Sequence, residues 1–150
     1  MPEPALPRGY VLSFDFGFRR IGIAVGQSAT RTASTLETVI HRDQPDWDAI
    51  DRLVREWKPE LFVVGLPLNA EGEETDMTRA ARSFGQALAR RYERECTFVD
   101  ERLSSRAAQD RFTEMRAGGA LKRKDAGKLD SMAAQIILEN WLQSLPARRD

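Results

Sequence analysis

Three groups of acids occupy positions where folded chains seldom tolerate charge. Asp15 lies between Phe14 and Phe16 at the end of the apolar run Tyr10–Phe16, with Gly17 directly after it. Asp100 and Glu101 follow the apolar Thr97–Val99. Asp130 precedes Ala134, Ile137 and Trp141 by four, seven and eleven residues, which puts it on the apolar stripe of a helix. A carboxylate buried alone costs several kcal/mol, so acids at such places need a partner. Each has an ordinary role available: a turn cap for Asp15, a solvated loop for Asp100 and Glu101, a dipole-favoured acid near a helix start for Asp130. Together they suggest different chemistry. In an α/β sheet, ligands bind beyond the strand ends, where the first two groups fall. Converging carboxylates repel and resist ionisation, and a hard divalent cation relieves that repulsion. Mg²⁺ and Mn²⁺ take oxygen ligands, and Mg²⁺ keeps waters and borrows substrate phosphate oxygens. Two such ions about 4 Å apart can drive phosphodiester cleavage by water. A zinc site is not indicated, because the chain has one histidine, His41, and one cysteine, Cys96. Burial reasoning leaves the choice between Asp100 and Glu101 open.

The elements that position these acids follow from hydrophobic period. Tyr10–Phe16 is rich in aromatic and β-branched residues and predicts a strand that Gly17 ends; residues 21–27 predict a second strand, near enough to form a hairpin, and residues 32–40 a third. The period then changes. Trp47, Ile50, Leu53, Val54 and Trp57 recur at helical spacing, with Asp46 as N-cap and Pro59 past the end. Residues 61–65 form a continuous apolar strand, as expected where both faces are covered. A polar loop over 66–74 leads to a helix marked by Met77, Ala81, Phe84, Leu88 and Tyr92. A short strand over 96–99, a helix capped by Ser104 or Ser105, a glycine-rich basic loop over 116–125 and a last helix from about Gly127 to Leu145 complete the order. His41 falls in the loop after the third strand and reads as solvated. The order βββαβαβαα predicts an α/β domain, a mixed sheet with helices on both faces. Residues 1–9, with three prolines, read as a loose arm, residues 10–145 as one domain, and residues 146–150 as a tail.

Charge supports a polyanionic substrate only locally. The 150 residues balance 23 basic against 23 acidic side chains, so total charge does not point to nucleic acid. Between Arg102 and Lys128, however, eight basic residues oppose three acids. This stretch lies between two of the acidic positions, and Arg19 and Arg20 follow Asp15. Positive charge therefore gathers around the acids, as a phosphate backbone requires. Arg102, Lys122, Arg123, Lys124 and Lys128 are candidates for that contact, as are Arg19 and Arg20. The lone Cys96 allows no internal disulfide, and no apolar run at the N-terminus is long enough for a signal peptide or span, so the cytoplasm is the expected location.

Four stretches then carry a resemblance: Phe14–Gln27 (FDFGFRRIGIAVGQ), Val64–Asn69 (VGLPLN), Asp100–Ser105 (DERLSS) and Gly127–Glu139 (GKLDSMAAQIILE). In this order and separation the chain resembles the YqgF/RuvX family, described as pre-16S rRNA nucleases or Holliday-junction-resolvase-like proteins. The resemblance implies an RNase H-like fold, a five-stranded sheet whose first three strands are antiparallel. It implies that Asp15, Glu101 and Asp130 are the catalytic acids that bind Mg²⁺ or Mn²⁺, choosing Glu101 over Asp100. It also turns Asn69, otherwise an ordinary turn residue, into a substrate-positioning one. The implied task is trimming the 5′ end of precursor 16S rRNA, a structured RNA, by a monomer or homodimer. One departure is Phe18, where a smaller or hydroxyl-bearing residue is expected.

Other readings compete. Junction resolution would need paired cuts and a dimer. A nucleotide-clamping ATPase or sugar kinase also opens on an Asp-x-Gly hairpin, but it needs two domains, and the chain has no phosphate-cradling loop motif. A non-catalytic binder would use the basic rim but has little use for acids at a sheet edge.

Overall fold

A computed structural model describes residues 9–101 and 126–146, and the side chains of all of these but 126–128. Five strands and three helices are found among them. Strands β1 (Tyr10–Phe16), β2 (Arg20–Gln27) and β3 (Thr32–Ile40) are followed by helix α1 (Trp47–Trp57), strand β4 (Leu61–Leu66), helix α2 (Asp76–Tyr92), strand β5 (Glu95–Asp100) and helix α3 (Ala126–Ser144). The sheet order is β3-β2-β1-β4-β5. The first three strands pair antiparallel, while β4 runs parallel to both β1 and β5. The mixed sheet is the expected one.

β1 sits at the centre and serves two cores by alternation. Leu12, Phe14 and Phe16 join the larger core, where Ile50, Leu53 and Val54 of α1 and Ala81, Phe84 and Leu88 of α2 cover the sheet. Val11 faces the other way, with Val63, Ile137, Leu138 and Leu142. Ser13 follows Val11 on that face and is fully buried, its Oγ donating to the Ala134 carbonyl at 2.8 Å. Asp15 is the next residue on the same face.

The helices are begun and tied by specific side chains. Asp46 caps α1, accepting the Ala49 amide at 3.2 Å, and Lys58 ends it in the left-handed conformation. Thr75 and Thr78 form a reciprocal cap at the start of α2. Asp51 on α1 receives Arg91 Nε at 2.9 Å and Nη2 at 2.8 Å, together with the Tyr92 hydroxyl, and so ties α1 to α2. On the opposite face Arg31, at φ 54°, caps the end of α3. Its Nη1 donates to the carbonyls of Leu142 at 2.7 Å and Leu145 at 2.8 Å, and its Nη2 to Pro146 at 2.8 Å.

Boundaries differ from expectation by a residue or so. β2 starts at Arg20, β4 continues through Leu66, and β5 includes Asp100. Helix α3 begins at Ala126, which makes Asp130 its fifth residue, and no acid occupies its first turn. The dipole account of Asp130 weakens accordingly, since that effect fades within one turn. The helix expected after Ser104, the loop over 116–125, the N-terminal arm up to residue 8 and residues 147–150 of the tail lie outside the described residues. No helix among the described residues is long and apolar enough to cross a membrane.

Candidate active site

Two glycines bring the three acids to one end of one face of the sheet. Asp15 pairs directly with Gly22 across the β1–β2 ladder. A Cβ on Gly22 would lie 2.1 Å from the Asp130 carbonyl oxygen, so the backbone of α3 rests on β2 at this point. The Ser13–Ala134 bond sets the same register from the other end. Ser13 is two residues before Asp15 on its strand, and Ala134 is one helical turn beyond Asp130.

The other flank of Asp15 is β4. Ser13 pairs with Val63 and Phe14 with Val64, so the register continued by one residue sets Asp15 level with Gly65. A Cβ on Gly65 would lie 2.6 Å from both Cγ and Oε1 of Glu101, and 2.9 Å from Ile137 Cδ1. The Glu101 side chain therefore lies over Gly65 on the α3 face, with Oε1 buried. Its backbone amide donates to the Leu66 carbonyl at 3.1 Å, which extends the β4–β5 ladder by one bond. Asp100, one residue earlier, is exposed at the end of β5. Asp15 is thus flanked by two small residues, one under the Asp130 backbone and one under the Glu101 side chain.

Cationic groups approach from the hairpin. Arg20 Nε donates to Asp130 Oδ2 at 2.7 Å, with the two side chains 47% and 25% exposed. An ion pair this open adds little stability. Its interest is that Arg20 and Asp130 meet at the site. Arg19 is exposed at the β1–β2 turn. Asn69 lies in the loop after β4, where its Oδ1 accepts the amides of Glu71 at 3.0 Å and Glu73 at 2.8 Å. That oxygen is therefore engaged in shaping the loop. Lys128 lies on α3 two residues before Asp130, and Arg102, Lys122, Arg123 and Lys124 lie outside the described residues.

His41 is not the solvated residue expected. Its Nδ1 lies 2.8 Å from the Gly17 carbonyl, which can only accept, so Nδ1 carries the proton. Its ring centroid is 4.9 Å from that of Phe16, and its amide donates to the Arg19 carbonyl at 2.9 Å. The turn after Asp15 is thereby tied to the end of β3. Sequence reasoning missed this, as it missed Gly22, Gly65 and Ser13. The available signal was glycine inside a strand pattern, a mark of close backbone approach.

The donor set is all oxygen: three carboxylates, with no imidazole or thiolate among them. No three His, Cys, Asp or Glu side chains among the described residues close around a single point to hold an ion. Asp15, Glu101 and Asp130 nonetheless come from neighbouring elements at one end of the sheet, with Glu101 Oε1 buried and the Asp130 side chain 25% exposed.

Known proteins agree with this architecture. A protein of Hydrogenovibrio crunogenus bearing the name "Putative pre-16S rRNA nuclease" is 48% identical over 138 residues, 91% of this chain and 96% of the relative. A Nitrosococcus oceani protein of the same name is 46% identical over 142 residues, covering 94% and 90%. Among solved structures, the yeast mitochondrial Holliday junction resolvase superposes with a TM-score of 0.56 at 11% identity, covering 94% of this chain and 80% of that one. The T. thermophilus RuvC bound to a Holliday junction superposes at 0.52 with 13% identity, covering 91% and 94%. These likenesses identify the fold as RNase H-like. A family model described as "RuvX: Holliday junction resolvase" matches residues 9–144, and the chain belongs to that family.

Proposed function

We propose that this protein is a metal-dependent nuclease that hydrolyses a phosphodiester of precursor 16S rRNA near its 5′ end, in the cytoplasm. The observation that supports the reading is the pair of glycines beside Asp15: Gly22 lies under the Asp130 backbone and Gly65 under the Glu101 side chain. The name shared by the Hydrogenovibrio crunogenus and Nitrosococcus oceani relatives supports the RNA substrate.

Asp15, Glu101 and Asp130 would hold Mg²⁺ or Mn²⁺, the ions that three carboxylates and no softer donor suit. When bound, such an ion neutralises phosphate charge and acidifies water. The rest falls to the chain. Arg20 keeps Asp130 in place and, with Arg19, offers cationic donors to the phosphates on either side of the cut. Lys128, Arg102, Lys122, Arg123 and Lys124 extend that positive rim in our proposal, and Asn69 orients the strand through the loop it organises. His41 and Ser13 hold the hairpin and α3 in register beneath Asp15. No histidine base stands beside a serine among the described residues, and in this reading water is the nucleophile, with no covalent intermediate.

The test is to incubate the protein with precursor rRNA and Mg²⁺ or Mn²⁺. Cleavage that disappears in Asp15→Asn supports the assignment; cleavage unchanged by that substitution refutes it. The family description favours a second substrate, the four-way DNA junction, so the same assay should include one. Paired, symmetric cuts by a dimer would establish resolution; indifference to junctions would rule it out.

A further inference from the structure

Phe18 breaks the rule that this chain follows elsewhere. Among the described residues, only Phe18 and Ile40 are large apolar side chains left exposed, at 53% and 55%. Burying a phenylalanine is worth about 1.5–3 kcal/mol, so an exposed one at the tip of a tight hairpin forgoes stability. Nor is the ring loosely held. It meets Phe16 edge-on, with centroids 6.3 Å apart and planes at 76°. Phe16 in turn packs on Phe84 at 5.1 Å and on His41 at 4.9 Å. The exposed ring is thus the outermost of a cluster of edge-on and tilted aromatic rings.

Its surroundings indicate the ligand. Arg19 and Arg20 follow directly, and Arg20 reaches Asp130 on the α3 side of the sheet. Phe16, the support for Phe18, belongs to the core on the other side. A strand of nucleic acid with phosphates at the acids would cross the hairpin tip over the two arginines and meet the Phe18 ring beyond them. An aromatic face beside cationic side chains is the combination that binds single strands, the charges tracking the backbone while the ring stacks a base. We propose that Phe18 is a stacking platform for an unpaired nucleobase flanking the scissile phosphate, so that this protein prefers substrates single-stranded at that position. The inference rests on the nuclease reading above and adds to it a selectivity device.

The experiment compares binding of an end-labelled single-stranded RNA and its fully paired duplex by fluorescence anisotropy, with Ca²⁺ in place of Mg²⁺ to suppress cutting. Wild type is set against Phe18→Ala, Phe18→Leu, Phe18→Tyr and Ile40→Ala. Loss of one base stack weakens binding about tenfold. The alanine and leucine variants should lose that much on the single strand while keeping duplex affinity within about twofold, and the tyrosine and Ile40 variants should match wild type. A leucine variant that binds the single strand like wild type, or an equal loss on the duplex, overturns the proposal. Wild-type protein that binds neither RNA would instead bring down the nuclease reading itself.

Discussion

Replacing Gly22 by alanine tests whether the α3 backbone really sets the geometry of the acids. The added Cβ would lie 2.1 Å from the Asp130 carbonyl oxygen and 2.2 Å from its carbonyl carbon, where ordinary contact begins near 3.4 Å. The shortfall is about 1.3 Å, and both partners are backbone, so no side chain can swing aside. The start of α3 must therefore lift from β2 by roughly that distance. Overpacking of this kind costs about 1–3 kcal/mol. For a chain of this length each kcal/mol lowers Tm by about 2–4 °C. The functional effect should be the larger one, because a catalytic group misplaced by about 1 Å costs around a hundredfold in rate. Gly26→Ala is the control. Its Cβ would meet the Thr32 carbonyl at 2.8 Å and a Leu138 methyl at 2.9 Å, a milder clash four residues away from the acids. Calorimetry and rRNA cleavage at 25 °C should show Gly26→Ala destabilised but active, and Gly22→Ala destabilised and about a hundredfold slower. A Gly22→Ala protein with wild-type Tm and rate would refute the reasoning.

Three further outcomes are expected. The hydrogen bonds from Arg91, and then that from Tyr92, hold the Asp51 carboxyl down to about 2 from an ordinary 3.8. A lowered folded-state pKa contributes stability above pH 4 that is lost as pH falls toward 2, so Asp51→Asn should be less stable than wild type at pH 6 in urea, with the gap closing between pH 4 and 2. Removing the α3 cap with Arg31→Ala leaves the carbonyls of Leu142, Leu145 and Pro146 without their guanidinium donor, and the urea midpoint should fall by the equivalent of about 1–3 kcal/mol. Burial pushes the Cys96 thiol up to about 12, with Glu95 adding to the effect, so Ellman's reagent at pH 8 should react slowly with native protein and rapidly after unfolding.

Much of this architecture was legible in the sequence, for reasons tied to particular residues. Tyr10–Phe16 announces a strand because its apolar and β-branched residues must serve two cores, and α1 is legible from Asp46 and the Ile50–Val54 stripe. Asp130 stood out because Ala134 and Ile137, on its own stripe, are core residues. Contacts between residues far apart in the chain were not legible. Ser13 reaches a carbonyl 121 residues away, and Gly22 touches α3 across more than a hundred. Such contacts leave no period in the sequence, only a small residue where a larger one would otherwise serve. His41 was misread for the same reason. Its histidine side chain looks like a solvated loop residue until the fold brings Gly17 to it. Asp100 and Glu101 were separable only by resemblance, since both follow the same apolar run; in the fold the Glu101 side chain lies over Gly65, whereas Asp100 is exposed at the end of β5.

The central claim is that Asp15, Glu101 and Asp130 form one cation site. Anomalous diffraction from crystals grown with Mn²⁺ tests it most directly. The account predicts an anomalous peak within ligand distance of Asp15 and at least one of the other two carboxylates, lost in Asp15→Asn crystals grown under the same conditions. Bound Mn²⁺ elsewhere, with no peak at these acids, would contradict it.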